Sequence, residues 1–387
     1  MCCPEASVFH QKGEILLKIM HLSDLHIGKR LNGFSLLDDQ RYILEQMLHI
    51  ADERKPDCVL IAGDVYDKPV PPAEAVTVLD SFLSELAGRQ IPVLLISGNH
   101  DSAERIAYGW RMMQKSGIYL SPVYDGKVEP VTLRDACGEV RFYLLPFLRP
   151  GDVRVCFPDT RISGYTDAMR TAIDAMQVDT SVRNVLVTHQ YVTDAVCSGS
   201  EEIVGTVESI GTELFAPFDY TALGHLHAAQ NVIPGVRYCG TPLKYDFTEA
   251  GTRKTVTMVT LGEKGSAPEI EEIPLVPMRD MLELRGTFEK LMKRARSDCF
   301  VRIVLTDEHE VPDAIGKLRT HFPHAMMLDY DNKRTNAEPL LSAVSARQKA
   351  PMELVDDFYH AFNGEGLSDE QRDILAPLIR EIWEGEL

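Results

Sequence analysis

No apolar run in this chain approaches the roughly 18 to 20 residues that span a bilayer. The first seventeen residues also lack the basic-then-apolar plan of a secretory signal. These absences lead to the expectation of a soluble protein of the cytoplasm with no membrane partner. Closely spaced cysteine pairs are missing too. The eight cysteines, at 2, 3, 58, 137, 156, 197, 239 and 299, never form C-x-x-C, and several fall inside apolar runs. They read as reduced core residues, which favours a cytosolic compartment.

Positive charge is in short supply. Forty lysines and arginines stand against 58 acids, a net charge of −18. Such a chain repels a polyanion at long range and argues against strong unaided binding to nucleic acid. One basic stretch runs against the trend, at 285–302, where Arg285, Lys290, Lys293, Arg294, Arg296 and Arg302 face only Glu289 and Asp298. A solvated helix face explains it at least as well as a DNA contact. Length is not lacking: 387 residues exceed one typical domain, with enough apolar side chains for a large core and smaller companions.

Strand-like runs at 15–22, 57–62, 91–97, 140–147, 184–188 and 220–224 alternate at first with helical patterns at about 36–53, 72–87 and 103–115. This is α/β order. Further strands at 236–239 and 254–261 follow without a clear intervening helix, so the later half reads as mixed, and the sheets as two layers. Prolines in "EIPLVPMRD" break the pattern. A small α/β unit follows, with strands at 281–285, 299–305 and 325–330 and helices at 287–296 and 312–321. Residues 332–350 read as a linker. The tail, 351–387, carries Leu354, Val355, Phe358, Tyr359 and Phe362 on one helical stripe, then Ser368 and Gln371 as a capping box, then Leu375, Leu378, Ile379, Ile382 and Trp383 on a second helix. The domains expected are 18–275, 276–331 and 351–387. Before them lie residues 1–17, either a loose native extension or the product of a start placed upstream of the true one.

Five short stretches, each closing an apolar run, supply hard or borderline ligands: "SDLHIG" (Asp24, His26), "GDVYDK" (Asp64), "GNHDS" (Asn99, His100), "VTHQ" (His189) and "LGHLH" (His225, His227). Any one of them has an ordinary reading as a turn or a core histidine. Five together at strand ends point to a metal site. Strand periodicity of two would send both members of D-x-H, and of H-x-H, to the same side. Carboxylates, imidazoles and one amide oxygen suit two Mn²⁺, Fe²⁺ or Zn²⁺ ions better than an all-oxygen Mg²⁺ or Ca²⁺ site. Two ions that clamp a phosphate favour hydrolysis of a phosphate ester.

The ordered set D-x-H, G-D-x-x-D, G-N-H-D, T-H and G-H-x-H resembles the calcineurin-like metallophosphoesterase superfamily over residues 18 to about 260. Longer stretches, among them "KIMHLSDLHIGKRLNGFSLLDDQ", "AGDVYDKPVPPAEAV" and "YCGTPLKYDFTE", resemble its bacterial DNA-nuclease branch over nearly the whole chain. The resemblance implies a two-sheet sandwich flanked by helices, with a small α/β capping domain at 276–331 and a C-terminal helical tail. It implies Asp24, His26, Asp64 and His227 around one divalent ion and Asp64, Asn99, His189 and His225 around another, Mn²⁺ first among the candidates. His100 matches the histidine that donates to the phosphate or leaving oxygen, with Asp101 orienting it. Asp67 stands where archaeal and eukaryotic relatives usually carry histidine, which leaves it a role in catalysis or in fixing its loop. The branch also implies a homodimer, DNA as substrate, and an SbcC-type ATPase that binds the ATP, in a heterotetramer of two nuclease and two ATPase subunits. Double-strand exonuclease action from 3′ to 5′ and endonuclease action on single strands and hairpins would serve repair and recombination. A stand-alone phosphodiesterase or phosphatase for a small substrate needs the same metal core. It has no evident use for the cap, linker and tail.

Overall fold

The computed structural model describes residues 16–193, 195–196, 209–332, 351–363 and 366–384. The extension at 1–15 and all but the first residue of the expected linker lie outside these residues. The chain divides into two compact units, Met1–Asp280 and Met281–Leu387.

In the first unit two six-stranded mixed sheets face each other. One runs in the order Glu269–Pro274, Thr255–Leu261, Leu17–Leu22, Cys58–Ala62, Val93–Ile96, Ile118–Leu120. The other runs Gln230–Ile233, Val236–Tyr238, Tyr220–Gly224, Arg183–His189, Gly138–Leu144, Val131–Asp135. The central strands are parallel; in the first sheet the edge at Glu269–Pro274 is antiparallel and the edge at Ile118–Leu120 parallel, and in the second sheet both edge pairs are antiparallel. Central strands such as Cys58–Ala62 are apolar along their whole length because both faces are covered. Alternation sorts the side chains. Val185 and Val187 enter the core between the sheets with Ile19, Leu60, Leu94, Phe142 and Ala222, while Leu186 enters a second core with Val153, Met169 and Ile173. The helices Pro150–Cys156 and Tyr165–Ala175 supply that second core. Two longer helices, Leu37–Arg54 and Ala73–Gly88, pack on each other, the second also against Val93–Ile96.

The helix expected at 103–115 is broken. Gly109 takes a left-handed φ of 72° and splits it into Ala103–Ile106 and Trp110–Met113. The hairpin strand Val131–Asp135 and the helix Tyr165–Ala175 are additions to the sequence reading. Among the described residues no helix is long and apolar enough to cross a membrane. Cys58 and Cys239 are buried, Cys137, Cys156 and Cys299 only partly covered, and none of these five forms a disulfide.

In the second unit Met281–Gly286, Phe300–Leu305 and Ala325–Tyr330 form a parallel sheet around a small core of Leu284, Leu291, Ile303, Leu318 and Phe322. Its helices, Phe288–Met292 and Ala314–Arg319, are shorter than the sequence reading has them. The tail forms two helices, Pro351–Asn363 and Asp369–Glu384. Ser368 and Gln371 make the expected reciprocal cap, the Gln371 amide on Ser368 Oγ at 3.3 Å and the Ser368 amide on Gln371 Oε1 at 2.9 Å. Asp356 accepts from the Leu367 amide and from Arg372, both at 2.7 Å, and so clips the helices together. Phe358, Ile374 and Leu378 remain exposed. The side chains of Phe362 and Trp383 lie outside the described residues.

One arginine ties the two sheets of the first unit at the end opposite the carboxyl ends of the central strands. Arg183 and Asp135 are almost wholly buried and joined by a forked ion pair. The same guanidinium donates to the carbonyls of Gly138 at 3.0 Å, in its own sheet, and Gly262 at 3.1 Å, just beyond a strand of the other. Arg183→Leu strands the Asp135 carboxylate and two carbonyls, and the expected loss is about 3 kcal/mol or more of unfolding free energy, read from the urea midpoint. A midpoint like that of wild type would show that the pair contributes nothing to the joint.

Candidate metal centre

Parallel strands deliver their carboxyl ends to one edge of a sheet, and each of the five ligand-bearing stretches leaves such an end. Strand periodicity is not what aims the side chains. The strand Leu17–Leu22 has already stopped, and Asp24 and His26 both adopt left-handed backbone, with φ of 51° and 44°. Asp64 does the same at 48°, and His225 has φ of 109°. Each such residue costs of order 1 kcal/mol or more and persists only where its surroundings hold it. Here the neighbouring loop holds it: the amides of Asp24, His26 and Ile27 donate to the carbonyls of Gly63, Asp64 and Val65 at 2.9 to 3.0 Å. Glycine leaves the room. A Cβ on Gly98 would lie 2.2 Å from Asp64 Oδ1, and one on Gly63 2.5 Å from His189 Nδ1.

Asp64 is the hub. Its Oδ2 lies 3.4 Å from His189 Nε2, 3.7 Å from His26 Nε2 and 4.0 Å from His100 Nε2, while Oδ1 accepts the His100 amide at 2.8 Å. Asn99 Oδ1 is 3.0 Å from both His189 Nε2 and His225 Nδ1. The His225 amide donates to both oxygens of Asp24 at 3.1 Å. Three overlapping triads each gather one ligand atom per residue within 4.8 Å: Asp24, His26 and His227; Asp24, Asp64 and His189; His26, Asp67 and His100. The loops thus bring Asp24, His26, Asp64, Asp67, Asn99, His100, His189, His225 and His227 around one centre.

Asp101 does not orient the His100 ring. Its carboxylate accepts the amides of Val65, Tyr66 and Gly98 at 2.9 to 3.0 Å, and so pins the Asp64 loop to the Asn99 loop. His100 is held instead by its Nδ1, 3.1 Å from the main-chain oxygen of Asp67. The Asp67 carboxylate itself pairs with Lys29 at 2.8 Å, and Lys29 lies over the Tyr245 ring.

Four supporting residues escape the sequence reading. Gln40 donates to the carbonyls of Leu25 and His26 at 3.2 and 2.8 Å and accepts the Gly28 amide at 2.9 Å, gripping the first loop from a helix. Tyr245 donates to the same Leu25 carbonyl. Ser23 donates to Asp24 Oδ2. Glu249, 1% exposed, receives His227 Nδ1 at 3.1 Å. Gln40 stands in the quoted "SLLDDQ" and Glu249 in "YDFTE". A glutamine on a helix and a glutamate in a single 3₁₀ turn carry no spacing signal of their own.

Burial pushes the Asp24 carboxyl up to about 6, and it pushes His26 well below the ordinary imidazole range. His225 falls to about 3, through burial and the neighbouring His189. Burial acts against the charge of Asp64 as well, but His189, His26 and His100 outweigh it and hold that carboxyl well below its usual range. Burial would lower His189, yet the charges of Asp64 and Asp24 raise it to about 9, with Nδ1 donating to the Ala62 carbonyl at 2.8 Å. His26 makes the clearest test of fit. It is 1% exposed, and neither ring nitrogen has a hydrogen-bond partner. An orphaned buried donor or acceptor costs roughly 1–3 kcal/mol, and a divalent ion would satisfy the ring's lone-pair nitrogen. Imidazole and carboxylate around a shared buried anion make a divalent metal site of borderline character.

Comparison with known proteins agrees with this geometry. Residues 17–228 match the calcineurin-like phosphoesterase family, and residues 277–362 match a type 5 capsule protein repressor C-terminal domain that bears the SbcD name. The SbcD subunit of the nuclease SbcCD from Staphylococcus epidermidis is 30% identical over 380 residues, which span 96% of this chain and all of that one. Among solved structures, a dimetal phosphatase from Danio rerio is 12% identical with a TM-score of 0.40, over 68% of this chain and 100% of its own. That last likeness carries no argument. The family matches and the staphylococcal relative do, and the chain belongs to the calcineurin-like phosphoesterases and, within them, to the family of SbcD nuclease subunits.

Proposed function

We propose that this phosphoesterase hydrolyses the phosphodiester bonds of DNA, as the nuclease subunit of a complex with an SbcC-type ATPase. The observation that carries the reading is the undiminished donor set around Asp64, on a chain that aligns end to end with an SbcCD nuclease subunit. Asp24, His26, Asp64 and His227 would hold one divalent cation and Asp64, Asn99, His189 and His225 another, with Asp64 common to both and Mn²⁺ the first candidate. Divalent cations bound there supply the positive charge that polarises a phosphate ester and acidifies the attacking water.

The protein's own part is to hold and to donate. His100 is the ring of the cluster most open to solvent, its side chain 43% exposed, whereas His26 and His189 are buried. With Nδ1–H donated to the Asp67 carbonyl, Nε2 is left toward the substrate side as donor to a phosphate or leaving oxygen when the ring is protonated. Asp67 thereby acts through its main chain, and its carboxylate keeps Lys29 at the rim. Asp101 acts one step further back, by keeping the Asp64 and Asn99 loops in register.

Activity on double-strand ends from 3′ to 5′, and endonuclease action on single strands and hairpins, follow from this reading, as do a homodimer and a heterotetramer with two ATPase subunits. ATP binds the partner. The acidic balance of this chain leaves the ATPase and the basic 285–302 stretch as the sources of DNA affinity. Work in repair and recombination places the protein in the cytoplasm, at the nucleoid. In the tail, Leu354 is half-buried and Phe358 exposed on helices clipped to each other by polar bonds, which supports docking on the ATPase. The domain limits proposed remain 18–275, 276–331 and 351–387.

Assays with and without the ATPase, on hairpin and linear DNA in Mn²⁺ and Mg²⁺, test the reading directly; hydrolysis of small diesters alone would overturn it. Asp64→Ala and His189→Ala should abolish hydrolysis and lower the bound metal while the fold survives in circular dichroism. His100→Ala should keep metal content at the wild-type level and lower turnover by about 10² or more. Fewer ions in His100→Ala would make His100 a ligand instead. Truncation after residue 350 should retain metal-dependent hydrolysis of a chromogenic diester and lose copurification with the ATPase. Normal copurification would assign the tail to another role.

A further inference from the structure

His227 is gripped at two points by residues outside the five ligand-bearing stretches. Its Nδ1 is 3.1 Å from Glu249 Oε1, and an ionised carboxylate can only accept, so Nδ1 carries the hydrogen. The other Glu249 oxygen lies 2.7 Å from Lys254 Nζ, in an ion pair whose side chains are 1% and 7% exposed. Lys254 also donates to the His227 carbonyl at 3.0 Å and to Thr241 Oγ1 at 2.7 Å, and the Thr241 amide reaches the same carbonyl at 3.1 Å. One buried pair therefore fixes both the ring and the main chain of a single residue. A buried ion pair rarely outdoes well-packed apolar side chains of similar volume in stability, so stability alone does not account for it.

We propose that the Glu249–Lys254 pair is a positioning device for His227, holding its ring as the Nδ1–H tautomer so that Nε2 is the lone-pair donor to the ion shared with Asp24 and His26. This rests on the reading of His227 as an ion ligand. The two sides of the centre are then built differently. On the other side, His189 is held by a neutral acceptor, the Ala62 carbonyl, at 2.8 Å. A carboxylate behind a ligating histidine fixes its orientation and makes the ring a stronger donor. Loss of the pair should therefore weaken one ion and spare the other.

The test uses the full-length, metal-free chain and Mn²⁺ as the probe. Glu249→Gln combined with Lys254→Met removes both charges together, so neither is left buried alone. Calorimetric titration should show one ion weakened by about 10- to 100-fold and the other unchanged. Nitrogen-detected NMR of wild type should show His227 as the Nδ1–H tautomer, a measurement that needs no variant. In the double variant that single tautomer should give way to a mixture. An Nε2–H tautomer in wild type, or two ions bound at wild-type affinity by the double variant, would overturn the positioning role. His227→Ala separates the two readings: if it binds both ions normally, the ligand assignment fails, and if it loses one while the double variant loses none, only the positioning device fails.

Discussion

Everything at this centre depends on keeping the carboxylate of Asp64 ionised where it is 2% exposed. Burial of a lone carboxylate would neutralise it. Three imidazoles within 4.0 Å and a main-chain amide at 2.8 Å reverse that tendency. The same crowding forbids a Cβ at Gly98 and forces left-handed backbone at Asp64, so the anion and the strained loop are a single feature. Cations complete it. The buried His26 ring, with no hydrogen-bond partner on either nitrogen, has a lone pair to offer such an ion.

The fold supplies what such a centre demands, which is rigidity from several directions. Central strands of both sheets end beside one another, and contacts between loops do much to fix the geometry: Asp24 to Gly63, His26 to Asp64, Asp101 to Val65, His225 to Asp24. Asp101 is the plainest case. One carboxylate accepting three amides from two loops holds Asp64 and Asn99 in mutual register.

Much of this is legible in the sequence, for reasons that differ from residue to residue. Asp24, His26, Asp64, Asn99, His189, His225 and His227 stand out because five unrelated strand ends repeat one kind of chemistry, and the buried strands because unbroken apolar runs have few other readings. The means of delivery is not legible. Strand alternation is the natural expectation for Asp24 and His26, whereas left-handed backbone at both residues aims them, and left-handed backbone at a non-glycine leaves no local mark. Adjacency pairs Asp101 with His100 in the sequence; it says nothing of which amides a carboxylate will find across a loop. Gln40, Glu249 and Lys254 depend wholly on tertiary placement. The break at Gly109 is readable, since a glycine inside a helical pattern is a standing invitation to end it.

The net charge of −18 fits the proposed chemistry once the cations are counted. Asp24, Asp64, Asp67, Asp101 and Glu249 surround the centre, and that field opposes the approach of a phosphate. Divalent cations reverse its sign only where they bind, so a phosphate is attracted to the place where it can be hydrolysed and repelled from the acidic surface elsewhere. A basic chain would hold DNA at many positions and cleave it at few. On the proposed reading, an acidic chain would leave the holding of DNA to a partner and keep the attraction at its own centre for the one phosphate presented to it. In the proposed complex the placement of the backbone would be the partner's task, and Phe358 and Leu378, one on each tail helix, are the exposed apolar side chains proposed to receive it.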